Sequence, residues 1–187
     1  SLLPVFFLMA LLITSTYSCG KPEPAETATN FIGHKGSGSN NYNDLLVENT
    51  LSSVQNTQNR LDGVELDIQM SLDGTPWIWH NASLSGYVCN SSSQDTIPKM
   101  RDDDIEKIRI CHKNKSDRIY KLAEILSWNN NGPGIYISLD IKVSFSATTF
   151  RLYGDRNGYL TQLALGLSTV FQNYKYAHKT LVEVDSQ

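Results

Sequence analysis

Gly63-Val64-Glu65-Leu66-Asp67-Ile68-Gln69-Met70, then Ser71-Leu72-Asp73-Gly74-Thr75-Pro76, then Trp77-Ile78-Trp79-His80-Asn81, is the stretch that decides how this chain folds. Residues 63–70 alternate, so Val64, Leu66, Ile68 and Met70 share one face while Glu65, Asp67 and Gln69 share the other. That is a strand with two carboxylates on one side. Asp73-Gly74 supplies a turn, and Trp77-Ile78-Trp79 reads as a second short strand that ends on His80. The hairpin folds an imidazole back toward the two acids. Acids at this spacing suit a divalent cation with oxygen ligands, and imidazole is the usual proton carrier near neutral pH. A half-buried antiparallel strand whose acids simply face water alternates in the same way, so the pattern gains weight only from its surroundings.

Those surroundings alternate strand and helix. Phe31-Ile32-Gly33 is a short strand that stops at His34, and a Gly/Ser loop starts at Gly36. Glu48-Asn49-Thr50 opens a helix through about residue 58, with Leu51 and Val54 on its buried face. Residues 81–101 are polar and without a period, a loop excursion. Asp102-Asp103-Asp104 ahead of Ile105 marks a helix N-terminus, where acids complement the dipole. A helix over 119–128, with Leu122, Ile125 and Leu126 at helical spacing, is broken by Asn129-Asn130-Asn131-Gly132-Pro133-Gly134. Residues 135–142 form a strand with Ile135, Ile137, Leu139 and Ile141 on one face and Asp140 and Lys142 on the other. A helix near 160–171 and a strand over 180–185 follow.

Strands alternating with helices predict an α/β fold with a parallel sheet and right-handed crossovers. Polar groups gathered where strands end are the habit of the (β/α)8 TIM barrel, which takes roughly 250 residues. This sequence has 187 residues and room for about four strand–helix units. The expectation is the first half of such a barrel over 30–187, with the C-terminal half missing. An open strand edge and apolar face would follow, and with them poor stability for this stretch on its own.

Composition is that of an ordinary globular domain, 40% hydrophobic and 19% charged, with a formal net charge of -3. No basic cluster of the kind that tracks a phosphate backbone is present, so nucleic acid is not an expected partner. Residues 2–13 are an apolar run of signal-peptide length, too short to cross a bilayer comfortably. An apolar run followed by a lone cysteine resembles the processing site of bacterial lipoprotein precursors. That resemblance implies a signal peptide over 1–19, lipid on Cys19, a membrane anchor and a place in the bacterial cell envelope, with plain secretion as the alternative. Residues 20–29, with Pro22 and Pro24, read as a polar tether. Cys89 and Cys111 then remain, an even pair available either to bridge in an oxidising compartment or to stay as two thiols.

His34-Lys35-Gly36, Glu48-Asn49-Thr50, Glu65-Leu66-Asp67, Asp73-Gly74, His80-Asn81-Ala82-Ser83-Leu84 and Leu139-Asp140-Ile141-Lys142 occur in that order. Together they resemble the signature of the glycerophosphodiester phosphodiesterases, roughly H-R-G, E-N-T, E-x-D, D-G, H-D-x-x-L and I-E-I-K. The resemblance spans residues 31–185. It implies metal-dependent hydrolysis of small glycerophosphodiesters to glycerol phosphate and an alcohol, with Ca2+ or Mg2+ as cofactor. Carried over by position, Glu65, Asp67 and Asp140 are the implied metal ligands and His34 and His80 the implied acid/base pair. Glu48 and Asn49 would brace the first histidine loop, while Lys35 and Lys142 would contact substrate.

Three positions depart from the pattern. Lys35 stands for arginine and loses its bidentate fork, Asp140 stands for glutamate and is shorter by a methylene, and Asn81 stands for an aspartate. These departures motivate a second reading, a ligand-binding envelope lipoprotein without catalysis. A third keeps the barrel class but takes it to phospholipase C/D-like chemistry.

Overall fold

The computed structural model describes residues 30–37, 46–89, 95–112 and 114–184. The apolar leader, Cys19 and the 20–29 tether lie outside the described residues, among which no helix is long and apolar enough to cross a membrane. In chain order the strands are β1 (Ile32–Gly33), β2 (Gly63–Met70), β3 (Pro76–Ile78), β4 (Arg109–His112), β5 (Lys115–Arg118), β6 (Tyr120–Lys121), β7 (Tyr136–Ile141) and β8 (Thr180–Val184). The α-helices are α1 (Leu51–Thr57), α2 (Asp102–Ile105), α3 (Leu122–Asn131), α4 (Ala147–Phe150) and α5 (Arg156–Phe171).

Strand β2 is the centre of a mixed sheet. β7 runs parallel along one of its edges and β8 runs parallel to β7. The other edge is shared: β1 pairs in parallel with its first residues and β3 in antiparallel with its last, and β6 extends the sheet beyond β3. The expected parallel arrangement is therefore present among β1, β2, β7 and β8.

The sheet is two-faced, as alternation demands. Val64, Leu66, Ile68 and Met70 of β2 and Ile137, Leu139 and Ile141 of β7 are buried in one cluster with Val54 of α1, Leu122, Ile125 and Leu126 of α3, and Tyr159 and Leu163 of α5. Each such side chain taken fully from water contributes about 1.5–3 kcal/mol, which is why this face is covered by helices. The opposite face of the same strands carries Glu65, Asp67, Gln69, Ser138 and Asp140. A second cluster gathers Val47, Trp77, Trp79, Leu84, Ile97, Ile105, Ile110 and Ile119 around the 81–119 excursion.

Four expectations shift. The first helix begins at Leu51, because Thr50 and Ser53 form a capping box that fixes the boundary and leaves Glu48 and Asn49 in the preceding turn. The helix expected from 119 begins at Leu122, because Tyr120 and Lys121 pair instead with Ile78 and Trp77. It also runs through the asparagines: the Asn129 side chain donates to Ile135 O at 3.0 Å and accepts from Ile135 N at 2.9 Å, clamping the helix end to the start of β7. The excursion is not merely a loop. It contains the β4–β5 hairpin, and Cys89 and Cys111 are joined by a disulfide that ties residues 87–89 against β4, where Cys89 N donates to Arg109 O and Cys111 N to Tyr87 O.

Asp102 begins α2 as the acidic run suggested, and it also organises the β2–β3 turn. It accepts from Ser71 Oγ at 2.6 Å, Thr75 Oγ1 at 2.5 Å and Trp77 Nε1 at 2.9 Å. Burial alone would raise its carboxyl, but these three donors and the Lys121 charge outweigh it and hold the group below its ordinary value.

Candidate active site

Glu65 and Asp67 leave β2 on the polar face, and Asp140 stands opposite Asp67 in register on β7. Oxygens of the three carboxylates lie within 4.8 Å of one another. At that separation and an effective dielectric near 20, each like-charged pair costs about 3 kcal/mol. Three such pairs face one ammonium, that of Lys142, which lies 3.0 Å from Asp67 Oδ1 and hydrogen-bonds Asp140 Oδ2. Desolvation works against the Lys142 charge, but its hydrogen bond to Asp140 and the close Asp67 carboxylate prevail and raise its pKa. Burial pushes the Glu65 carboxyl up, the neighbouring Asp67 charge adds to this, and the Lys35 N–H and His34 pull the other way.

Each acid on β2 is held by one oxygen and keeps the other back. Glu65 Oε2 accepts from Lys35 N at 2.7 Å and sits 2.7 Å from His34 Nδ1, while Glu65 Oε1 is buried with no hydrogen-bond partner. Asp67, with no exposure at all, accepts from Asn49 Nδ2 at 2.7 Å through Oδ2. Its Oδ1 faces Lys142 off the line of a hydrogen bond and is otherwise unpartnered. Buried carboxylate oxygens without donors are what a hard cation with oxygen ligands needs. Glu65, Asp67 and Asp140 therefore fit a metal ion, and these are the residues that could hold one.

The turn after β1 brings His34 to this cluster. Lys35 and Gly36 adopt left-handed φ angles of 51° and 91°, and Gly36 N donates to Glu65 O at 3.0 Å. A Cβ on Gly36 would stand 2.3 Å from Ser53 Oγ, so only glycine fits. The Lys35 side chain is engaged by Glu48: its Nζ donates to Glu48 Oε1 at 3.2 Å. Asn49 closes the same turn by donating its backbone N–H to Lys35 O at 3.0 Å.

His80 follows β3, where Trp79 N donates to Asp67 O at 2.9 Å. Its Nδ1 lies 3.1 Å from Asn81 Oδ1. With Gln69, Asn81, Ala82, Lys142, Ser144 and Phe145 it lines a hollow of about 210 Å³. His34 and Glu65 line a larger one of about 520 Å³, which extends along Tyr136, Ser138 and Glu183. The two imidazoles therefore stand on different hollows, His34 in contact with Glu65 and His80 beside Lys142, the ammonium that contacts Asp67 and Asp140.

The glycerophosphoryl diester phosphodiesterase family matches residues 34–179, more than three quarters of the sequence. The chain belongs to that family. No curated protein sequence matches it. Solved structures do resemble it in fold. A Silicibacter pomeroyi protein named as a glycerophosphoryl diester phosphodiesterase superposes with a TM-score of 0.68 at 16% identity, over 84% of this chain and 57% of that one. The Agrobacterium tumefaciens glycerophosphodiester phosphodiesterase gives 0.59 at 16%, over 85% and 59%. A phosphodiesterase from Oleispira antarctica, solved with the product sn-glycerol-3-phosphate, gives 0.61 at 19%, over 83% and 57%. The fold is thus TIM-barrel-like α/β, and the chain spans a little over half the length of these neighbours.

Of the family motifs picked out in the sequence, the structure gathers Glu65, Asp67, Asp140 and Lys142 with His34, and braces them with Asn49 and, through Lys35, with Glu48. Two residues beside this cluster were not singled out. Gln69 continues the polar face of β2 toward His80. Glu183 lies in register with Asp140 on β8 and accepts from Ser138 Oγ at 3.1 Å. The alternation of Val182, Glu183 and Val184 was the signal for the latter.

Proposed function

We propose that the protein hydrolyses glycerophosphodiesters to glycerol phosphate and an alcohol, with His34 and His80 as the acid/base pair and a divalent cation, Ca2+ or Mg2+, held by Glu65, Asp67 and Asp140. The observation that carries this reading is the convergence of three carboxylates and Lys142 on one small region, with His34 bonded to one of those carboxylates. When bound, such a cation would offset the charge of the phosphodiester and orient it. Lys142 adds a positive charge to the same side of the site, where a phosphate oxygen can take one of its N–H groups.

His34 Nδ1 against Glu65 Oε2 donates its proton there, which leaves the Nε2 lone pair free to accept one. Asn81 Oδ1 beside His80 Nδ1 fixes the second imidazole in the same sense. One ring, entering neutral, takes a proton from the attacking hydroxyl, of water or of the substrate itself, at its Nε2; the other enters as an imidazolium, with a proton on Nε2 as well, and gives that proton to the departing alkoxide. Glu48 and Asn49 serve this reading by holding the turn that carries His34.

The four parallel strands with helices on one face support a further part of the proposal, that they are the first half of an eight-stranded barrel closed by a second half. The Cys89–Cys111 disulfide supports export to an oxidising compartment, and the lipoprotein-like leader supports anchorage in a bacterial envelope through Cys19.

The test is release of glycerol phosphate from glycerophosphocholine by the purified protein with and without added divalent cation. We expect cation-dependent turnover, with His34→Ala and His80→Ala each slowing it by about 100-fold or more. Absence of turnover under all divalent cations, or variants as active as the parent, would overturn the reading.

A further inference from the structure

Gln69 is the third inward residue of β2, two places beyond Asp67, and the proposed reaction gives it no part. It is fully buried. Its Nε2 donates to Trp79 O at 3.0 Å and to Asn81 O at 2.8 Å. Both partners can only accept, so they settle which end of the amide is nitrogen and use both of its N–H groups. The amide is thereby locked across the two sides of His80. Its oxygen has no hydrogen-bond partner among the described residues.

Buried acceptors without donors are rare, and one that cannot turn is rarer still. Gln69 lines the hollow of about 210 Å³ that also carries His80, Lys142 and Ser144, which is roomy enough for a ligand group or a few waters. A neutral amide oxygen cannot receive a phosphate oxygen, since both are acceptors. It does not suit an ammonium either, because Lys142 shares the hollow. A neutral O–H donor suits it, either water or a hydroxyl of the ligand that displaces that water.

We propose that Gln69 Oε1 accepts a hydrogen bond from a hydroxyl of the substrate's glycerol arm, so that Gln69 selects for a hydroxylated alcohol while Lys142 faces the phosphate. The inference rests on the hydrolysis proposed above and names the group that site reads. A site built to pair a hydroxyl rejects the analogue lacking it far more strongly than an apolar pocket does.

The experiment compares kcat/KM on glycerophosphocholine with that on its two monodeoxy analogues, for the parent protein and Gln69→Met. We expect the parent to favour the full substrate over one analogue by at least about 10-fold, and Gln69→Met to shrink that ratio by about 10-fold; a hydroxyl that also serves as nucleophile lowers the analogue's rate equally in parent and variant and leaves this change intact. Looser support of His80 would slow every substrate alike and cancel in the ratio, so equal losses on all three overturn the inference and leave hydrolysis standing. Calorimetry on the parent protein gives a second readout independent of the variant: glycerol phosphate should bind at least about 10-fold tighter than one of the two propanediol phosphates, and equal affinities overturn the inference. No turnover of any substrate by the parent takes the hydrolysis reading down first and this one with it.

Discussion

Replacing Asn49 tests the physical reasoning behind the whole cluster. Its side chain donates to Asp67 Oδ2 at 2.7 Å and accepts Asp67 N–H at 3.2 Å, it is 4% exposed, and its φ is 58°. Asn49→Ala removes a hydrogen bond to a fully buried charge, worth about 1.5–3 kcal/mol, and leaves a buried N–H unpaired at a further ~1–3 kcal/mol. Alanine in the left-handed region adds about 1 kcal/mol or slightly more. The expected loss is therefore about 3.5–7 kcal/mol. Asn49→Gly opens the same gaps but accepts the dihedral, so after its larger unfolded-chain entropy is set against the strain it should be the more stable of the two by about 1 kcal/mol. Urea unfolding followed by circular dichroism, with a common m-value, measures both. With Asp67 no longer steered, cation affinity should also fall by about 10–100-fold, read by calorimetry. A loss below about 2 kcal/mol for alanine, set against that expected sum, or glycine no better than alanine, would refute the reasoning.

Other outcomes follow from the same contacts. Gly36→Ala places a Cβ 2.3 Å from Ser53 Oγ at a φ of 91°, so it should lower the urea midpoint by the equivalent of about 2 kcal/mol or more; an unchanged midpoint would contradict the turn described here. A divalent cation should raise the melting temperature of the parent, and Asp140→Asn should abolish that rise while Asp103→Asn, at the solvent-facing start of α2, should not; a rise that survives in Asp140→Asn would remove that carboxylate from the metal set. Asp102 is held below its ordinary carboxyl value of 3.8, so its stabilising bonds are fully present above that pH and are lost as pH falls through its lower folded value. Asp102→Asn should therefore flatten the acid side of a melting-temperature profile below pH 3.8, and two parallel profiles would count against the assignment.

Much of the site was legible because β2 and β7 each present a strict two-residue period whose polar face is short and acidic. Glu65, Asp67, Asp140 and Lys142 fall on that face by counting alone. What counting cannot supply is pairing. The opposition of Asp140 to Asp67, and of Glu183 to Asp140, exists only once strands distant in sequence are laid side by side. The β4–β5 hairpin escaped because Arg109, Lys115, Asp117 and Arg118 mask its alternation, and what ties it down is the Cys89–Cys111 crosslink and the burial of Ile110 in the second cluster. Asn49 looked like the start of a helix because Thr50 behind it is a good cap; its bond to Asp67 spans a strand and a turn. The asparagine run at 129–131 reads as a breaker by propensity, yet the Asn129 amide finds partners in the Ile135 backbone and the Tyr174 hydroxyl and continues the helix.

Gly36 N and Trp79 N donate to Glu65 O and Asp67 O, two carbonyls of one strand spaced by a single dipeptide. The arms bearing the two imidazoles are thus buttoned to the same short length of backbone that bears two of the carboxylates. Any sliding or tilting of that strand against its neighbours would carry all four groups along as one piece. Sequence drift in the outlying helices can then move the module without changing distances inside it, whereas a register slip at the Gly36 button would part His34 from Glu65 at once.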